Sequence, residues 1–346
     1  MAYKDKSTLD YGALTRELKT NGPGKLYMLW GEEDYLLQTF LKLLRDACLE
    51  GGAGDFDAKR LDGPAPEIRD VEEALDAMPF FGGRTFLELR GFDVNKCRDE
   101  RMGKLLSDIP DWCTVVIVLP PDTAPDGRLS LIKQIKKEGK AVEFTAQGTG
   151  MLYGWLQRRF EAHGKTIGRE AMDRLLFLSG DLMTGLIPEI EKICAYAEEQ
   201  HITAEDVEAV AHHIPEADAF RMTECLARKE YDKAAHLLDE LLAGDAEPME
   251  ILGVIGWQMR RLYAAKIAET TGRGPAFAKE VTGIPNDYKL RLLMDTAKKL
   301  SLDALTRDVR LCAEICMKTR EQGAWLSETD ALRELLIRFA MENAHA

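Results

Sequence analysis

The first chemistry to test in this sequence is nucleotide binding, at the loop that follows its first apolar stretch. Residues 26–30 form a continuous apolar run typical of a buried parallel strand, and residues 32–49 have a helical pattern. A phosphate loop between a strand and a helix needs GxxxxGK[ST], whose amides, lysine and hydroxyl hold the phosphates and Mg²⁺. Here Gly31 is followed by Glu32, Glu33 and Asp34, and the lysine and hydroxyl are missing. Three carboxylates would repel a triphosphate, so we predict that this loop binds no nucleotide.

Other motifs that could carry catalysis or hold a metal are also incomplete. The tripeptide at 164–166 reads Gly-Lys-Thr, but Arg159 stands where the first glycine of a phosphate loop belongs. Asp122 follows two prolines at the end of an apolar run, which favours a turn residue over a metal ligand. There is no GxSxG or HExxH, and the six histidines form no catalytic pattern. The sequence therefore predicts no catalytic residue, no metal, no cofactor and no enzyme activity of the chain by itself.

The charge and the cysteines of the chain bear on whether it binds nucleic acid alone and on its cellular compartment. The chain has 59 Asp and Glu against 46 Lys and Arg, a formal charge of −13, so tight nucleic-acid binding by the chain alone is not expected. Its seven cysteines are odd in number and include no CxxC, and no histidine stands near Cys312 and Cys316 to complete a metal site. We expect reduced thiols and a cytoplasmic protein. No signal peptide is expected, because the first residues lack an apolar core. No membrane span is expected, because no apolar run approaches the length needed to cross a bilayer.

Residues 71–92 contain the most unusual apolar feature, two adjacent phenylalanines before two glycines. A predicted helix over residues 66–78 ends at Pro79, and a strand is predicted at 86–89. Phe80 and Phe81 either pack into the core where the helix meets the strand, or face a partner from a flexible tip. Periodicity alone favours packing, because most phenylalanines are core residues. The apolar residues at helical spacing before this pair are Val71, Ala74, Leu75 and Met78.

The elements around these residues predict two kinds of architecture. Helices and strands alternate up to about residue 145, which predicts an α/β domain with a mainly parallel sheet, including a weak strand at 56–61. After residue 150 only helices are expected. Thr203 and Asp206 have the spacing of a capping box. Glu189 to Lys192 are expected to form a solvated helix face that carries an ion pair. Arg260 and Arg261 are expected either to lie on a solvated face or to contact a neighbouring subunit.

Four stretches together resemble the delta subunit family of the bacterial DNA polymerase III clamp loader. They are LYMLWGEEDYLL at 26–37, AMPFFGGRTFLEL at 77–89, LIPEIEKICAY at 186–196 with ITAEDVEAV at 202–210, and DAEPMEILGVIGWQMRRL at 245–262. The resemblance implies an AAA+-like domain with a degenerate phosphate loop at 1–146, a small helical lid domain at 147–213 and a helical collar domain at 214–346. The family often has Asp where Glu314 precedes Lys318 here.

The resemblance also implies a function. The chain would be an accessory subunit that binds and opens the sliding clamp (beta) during DNA replication without hydrolysing ATP. Met78, Phe80 and Phe81 would contact the clamp. The collar would join the delta-prime subunit and the ATP-hydrolysing motor subunits, and primer-template DNA would be met only within that complex. The alternatives are an active AAA+ ATPase or helicase loader, and a helical scaffold with no DNA role.

Overall fold

The computed structural model describes residues 11–49, 54–80, 83–244, 247–284, 286–320 and 327–344. It divides into two compact units. The first comprises Met1–Gly148 with Leu182–Thr184, and the second comprises Thr149–Asp181 with Gly185–Ala346. Both predicted helical groups fall in the second unit, so the division into lid and collar domains at residue 213 stays a prediction. No helix of the described residues is long and apolar enough to cross a membrane.

The first unit is built on a five-stranded parallel sheet, which confirms the predicted α/β class. The strand order is β2-β3-β4-β1-β5. Every residue of β4 is buried, as its continuous apolar sequence predicts for a strand covered on both faces. The edge strand β2 is partly exposed instead. The strands are β1 Leu26–Gly31, β2 Ala58–Asp62, β3 Thr85–Arg90, β4 Cys113–Val118 and β5 Lys140–Phe144.

Helices connect these parallel strands, as crossover connections require. The periodicity of α2 correctly predicts its inward face, since Phe40 and Leu44 are completely buried. On the part of the sheet covered by α3 and α4, Val71, Met102 and Leu106 join the main apolar core. The helices of this unit are α1 Tyr11–Asn21, α2 Asp34–Cys48, α3 Ile68–Asp76, α4 Glu100–Ser107 and α5 Ser130–Glu138.

Helices dominate the second unit, and the long helix α12 lies at the centre of its C-terminal part. This helix contacts α10, α13, α14, α15 and α16. The boundaries of α15 match the sequence prediction. The helices are α6 Thr149–Ala162, α7 Arg169–Ser179, α8 Met183–Tyr196 (whose first two residues belong to the first unit), α9 Ala204–Val210, α10 Pro215–Ala227, α11 Tyr231–Ala243, α12 Pro248–Thr270, α13 Pro275–Thr282, α14 Asp287–Lys298, α15 Leu302–Arg320 and α16 Glu328–Ala344.

The prediction that strands stop after residue 150 is wrong. Two short parallel strands, β6 Thr166–Ile167 and β7 His201–Ile202, pair within the second unit. Each has two residues, too few to produce a period-two pattern in the sequence. The Gly-Lys-Thr tripeptide leads into β6, and Lys165 Nζ donates to the carbonyl oxygens of Ala197 at 2.7 Å and Glu199 at 2.8 Å. The tripeptide therefore stabilises a chain connection.

The solvated face predicted around Glu189 is also wrong for that residue. Glu189 is buried, and its carboxylate accepts the His212 N–H at 2.8 Å while pairing with Lys192 Nζ at 2.8 Å. It ties α8 to the segment before α10. The predicted capping box is present, with Thr203 Oγ1 accepting the Asp206 N–H and the Asp206 carboxylate accepting the Thr203 N–H.

Arg261 does not lie on a solvated face, and its contact with a neighbouring subunit stays a prediction. Its guanidinium lies 3.2 Å from the ring centroid of Trp257, one turn earlier on α12. Burial lowers its pKa to about 10. The side chain is therefore packed within its own unit as a cation–π pair rather than solvated.

Glu314 forms ion pairs that link the last two described helices, α15 and α16. Its Oε1 lies 2.9 Å from Arg338 Nη1 on α16 and 3.0 Å from Lys318 Nζ on its own helix. The bonds to Arg338 and Lys318 lower the pKa of Glu314 from 4.5 to about 2. A carboxyl with a depressed folded-state pKa stabilises the fold above its unfolded pKa and loses that contribution as pH falls.

We therefore expect Glu314→Gln to lower the urea unfolding midpoint slightly near neutral pH. The difference from wild type should shrink as pH falls from 4.5 to about 2. Urea titrations of both proteins across this range measure the effect. Glu280→Gln, on the exposed side of α13, is the control. A difference that stays constant throughout the range would contradict the proposed link.

Candidate functional site

Gly31 ends β1 at the start of the degenerate loop, and the backbone around it explains why it is glycine. Its φ of +130° is a conformation that other residues rarely adopt. A Cβ at this position would lie 2.1 Å from the carbonyl oxygen of Phe144, its partner in β5. Close strand packing therefore requires this glycine, whether or not a phosphate is bound.

Two of the three carboxylates of the degenerate loop, those of Glu32 and Glu33, accept hydrogen bonds from the first unit's own backbone. Glu33 is completely buried, and its Oε2 accepts the Met183 N–H at 3.0 Å. Glu32 Oε1 accepts the Ala146 N–H at 3.1 Å. The Tyr35 N–H donates to Thr184 Oγ1 at 3.0 Å. The loop thus holds residues 182–184 and the end of β5, and the described residues contain no group of side chains suited to a metal ion.

Met78 and Phe80 lie beyond the end of α3, at a tip of the first unit. The helix ends at Asp76, and Ala77 is extended with a ψ of 121°. Met78 precedes Pro79, which disfavours helical geometry for it. Met78 is 72% exposed and Phe80 is 79% exposed. Core packing of Phe80, the arrangement favoured by periodicity, is therefore wrong, and Met78 does not continue the buried face of α3.

The backbone of this tip is anchored although its side chains face outward. The Phe80 N–H donates to Asp57 Oδ1 at 2.8 Å, and Asp57 is 7% exposed. After the tip, the Arg84 N–H donates to the Cys48 carbonyl at 3.3 Å. The Phe81 position, the other half of the predicted aromatic pair, lies outside the described residues.

The tip and the degenerate loop lie at opposite ends of the strands of the same sheet. All strands of this sheet are parallel, so their amino ends lie on the same side. The tip leads directly into the amino end of β3, whereas the loop follows the carboxyl end of β1. A partner at the tip would therefore make its contact on the side away from the loop.

Phe56 is an exposed aromatic residue that the sequence interpretation missed. The sequence predicts a strand over 56–61, but β2 begins at Ala58 and Phe56 belongs to a 3₁₀ turn, Gly54–Asp57. Its side chain is 89% exposed. The glycines before it and the acidic residues on either side favour a turn over a strand, and this signal could have identified its position.

Two family models match the chain, one in each unit. The model for the DNA polymerase III delta subunit matches residues 27–145, which include both the loop and the tip. The model for the C-terminal domain of the DNA polymerase III delta subunit matches residues 216–324. Together they match more than half of the sequence. The chain belongs to the DNA polymerase III delta subunit family.

Individual relatives agree with this assignment. The DNA polymerase III subunit delta of Bacillus subtilis is 23% identical over 342 residues, 95% of this chain and 98% of the relative. The probable DNA polymerase III subunit delta of Aquifex aeolicus is 26% identical over 282 residues, 76% of this chain and 77% of the relative. The solved structure of the Bacillus subtilis DNA clamp loader delta protein shares the fold, with a TM-score of 0.51 and 20% identity, covering 96% of this chain and all of the other. The resemblance inferred from the sequence is confirmed, as is the predicted fold class of a mainly parallel α/β domain followed by helices.

Proposed function

We propose that this delta family member binds the sliding clamp through Met78, Phe80 and Phe81 and opens it without hydrolysing ATP. One observation carries the proposal: large apolar side chains stand exposed on a tip whose backbone is fixed from inside the unit. Exposed apolar groups of this size are typical of surfaces that bind partners. Aromatic anchors that fill a partner's pocket supply much of the binding energy of protein interfaces.

Clamp opening by such a tip follows from differential affinity. A tip that fits the open ring better than the closed ring shifts the equilibrium towards the open form by the difference between the two binding free energies. Nucleotide chemistry is not needed for this step. The bonds of Glu33 and Glu32 support the same view, since their carboxylates occupy the loop in which a triphosphate would need positive charge.

The remaining partners follow from the family. The helical second unit would join the collar of the loader, beside a delta-prime subunit and ATP-hydrolysing motor subunits. The formal charge of −13 favours contact with primer-template DNA only within that assembly.

The test is binding of the purified chain to its cognate sliding clamp without nucleotide. Wild type is compared with the Phe80→Ala/Phe81→Ala double variant by surface-based binding or calorimetry. We expect wild type to bind and the double variant to lose binding while keeping its circular dichroism spectrum and unfolding midpoint. Absence of binding by wild type would refute the proposal and favour a helical scaffold.

Nucleotide binding separates the proposed function from an active ATPase or helicase loader. A nucleotide present at 100 times its Kd would add about 2.7 kcal/mol to the free energy of unfolding of a protein that binds it. We expect millimolar Mg-ATP to leave the thermal midpoint of the isolated chain unchanged, because the loop lacks the lysine and hydroxyl and already bonds to the backbone. Differential scanning fluorimetry with and without Mg-ATP measures this. A clear upward shift that requires Mg-ATP would favour the ATPase.

A further inference from the structure

Phe56 has the highest exposure, 89%, among the large apolar side chains of the described residues. Its neighbour Asp57 is 7% exposed. The chain thus reverses from exposed to buried within one residue, so the ring faces outward while the backbone beside it is held in the unit. An isolated aromatic ring of this exposure gains nothing from the fold, because its apolar surface stays in water.

The turn that carries Phe56 is joined directly to the tip. Asp57 Oδ1 accepts the Phe80 N–H at 2.8 Å, so Phe56 directly precedes the residue that holds Phe80. The sheet register gives the same placement. Ala58 of β2 pairs with Phe86 of β3, and adjacent strands lie about 4.8 Å apart. The segment that follows Phe56 therefore enters β2 beside the segment that leaves the tip and enters β3, both at the amino ends of these strands.

We propose that Phe56 is a further anchor for the sliding clamp, contacting it together with Met78 and Phe80. The inference rests on the proposed function and extends the contact surface from the end of α3 to the 3₁₀ turn before β2. The Asp57 bond fixes the spacing between the two aromatic anchors before binding. Anchors that are pre-organised in this way lose less conformational entropy on association.

The clamp is a better occupant of this surface than a second copy of the chain. The strand that follows Phe56 is an edge strand, but Lys59 and Arg60 are exposed on it. Charged side chains on an edge oppose strand pairing between copies. Phe56 also adjoins Phe80 through Asp57, so a partner whose pocket accepts Phe80 has Phe56 at the border of the same contact. Continuity with the clamp-binding residues therefore favours the same partner.

The experiment compares Phe56→Ala, Phe56→Leu and Phe80→Ala for binding to the clamp without nucleotide, using the full chain. Met317→Ala is the matched control, because Met317 is 67% exposed on α15 in the second unit. We expect Phe56→Ala to weaken binding about tenfold, chiefly through faster dissociation, and Phe56→Leu to restore most of it. Met317→Ala should bind like wild type. All variants should keep the wild-type unfolding midpoint, since none removes a buried side chain.

The outcomes distinguish the two proposals. If Phe80→Ala weakens binding while Phe56→Ala equals wild type, the inference about Phe56 is overturned and the proposed function stands. If wild type does not bind the clamp, both are overturned. Sedimentation of the free chain tests the other occupant: a wild-type dimer that Phe56→Ala converts to a monomer would overturn the inference in favour of a second copy.

Discussion

Phe80→Ala is expected to weaken binding of the sliding clamp by about 30-fold, or about 2 kcal/mol, the scale of an interface hot spot. The side chain is 79% exposed, so its removal withdraws surface from the interface and little from the core. The backbone N–H that bonds to Asp57 remains in the variant. We therefore expect the backbone of the tip to keep its conformation. The free energy of unfolding, measured by urea titration, should change by less than about 0.5 kcal/mol.

Phe80→Leu is the matched variant for this measurement. It retains an apolar side chain of similar reach, so it should recover most of the affinity that alanine loses. Titration calorimetry of wild type and both variants without nucleotide gives the three affinities. Equal clamp affinity for wild type and Phe80→Ala would show that Phe80 is no anchor and would leave the exposed tip without its proposed role.

Gly31→Ala is expected to destabilise the protein by at least about 3 kcal/mol. The new Cβ would lie 2.1 Å from the Phe144 carbonyl oxygen and 2.7 Å from the Phe144 nitrogen. These are backbone atoms of a paired strand, so relief requires β1 and β5 to separate. The φ of +130° adds conformational strain for any residue other than glycine. Urea unfolding followed by circular dichroism measures the loss.

Gly63→Ala separates the two causes. Gly63 has a similar φ, +122°, but no atom lies within 4 Å of a Cβ built there. We expect this control to lose only the conformational part, about 1–2 kcal/mol. If both variants lose the same amount, the close approach to Phe144 contributes nothing, and the glycine would need another explanation, such as a bound ligand at the loop.

Local patterns in the sequence correctly predicted the strands of the parallel sheet, most helices and the family. Buried parallel strands such as β4 are runs of apolar residues, and the inward face of α2 repeats at helical spacing, so both patterns are local. The absence of the lysine and hydroxyl residues after Gly31 could also be recognised from the sequence, because a phosphate loop is a contiguous motif. The four stretches that carried the resemblance are likewise continuous in the chain.

The tertiary structure decided which residues are buried or exposed where local pattern and long-range contact disagree. Glu33 is buried because Met183, 150 residues away, donates to it. Phe80 is exposed because Asp57 holds its backbone at a point where α3 has already ended. The two-residue strands β6 and β7 likewise depend on a partner distant in sequence, namely each other. Periodicity in the sequence depends only on residues within one helix or strand. A hydrogen bond between residues far apart in the chain has no fixed sequence spacing and so cannot be predicted from such a pattern.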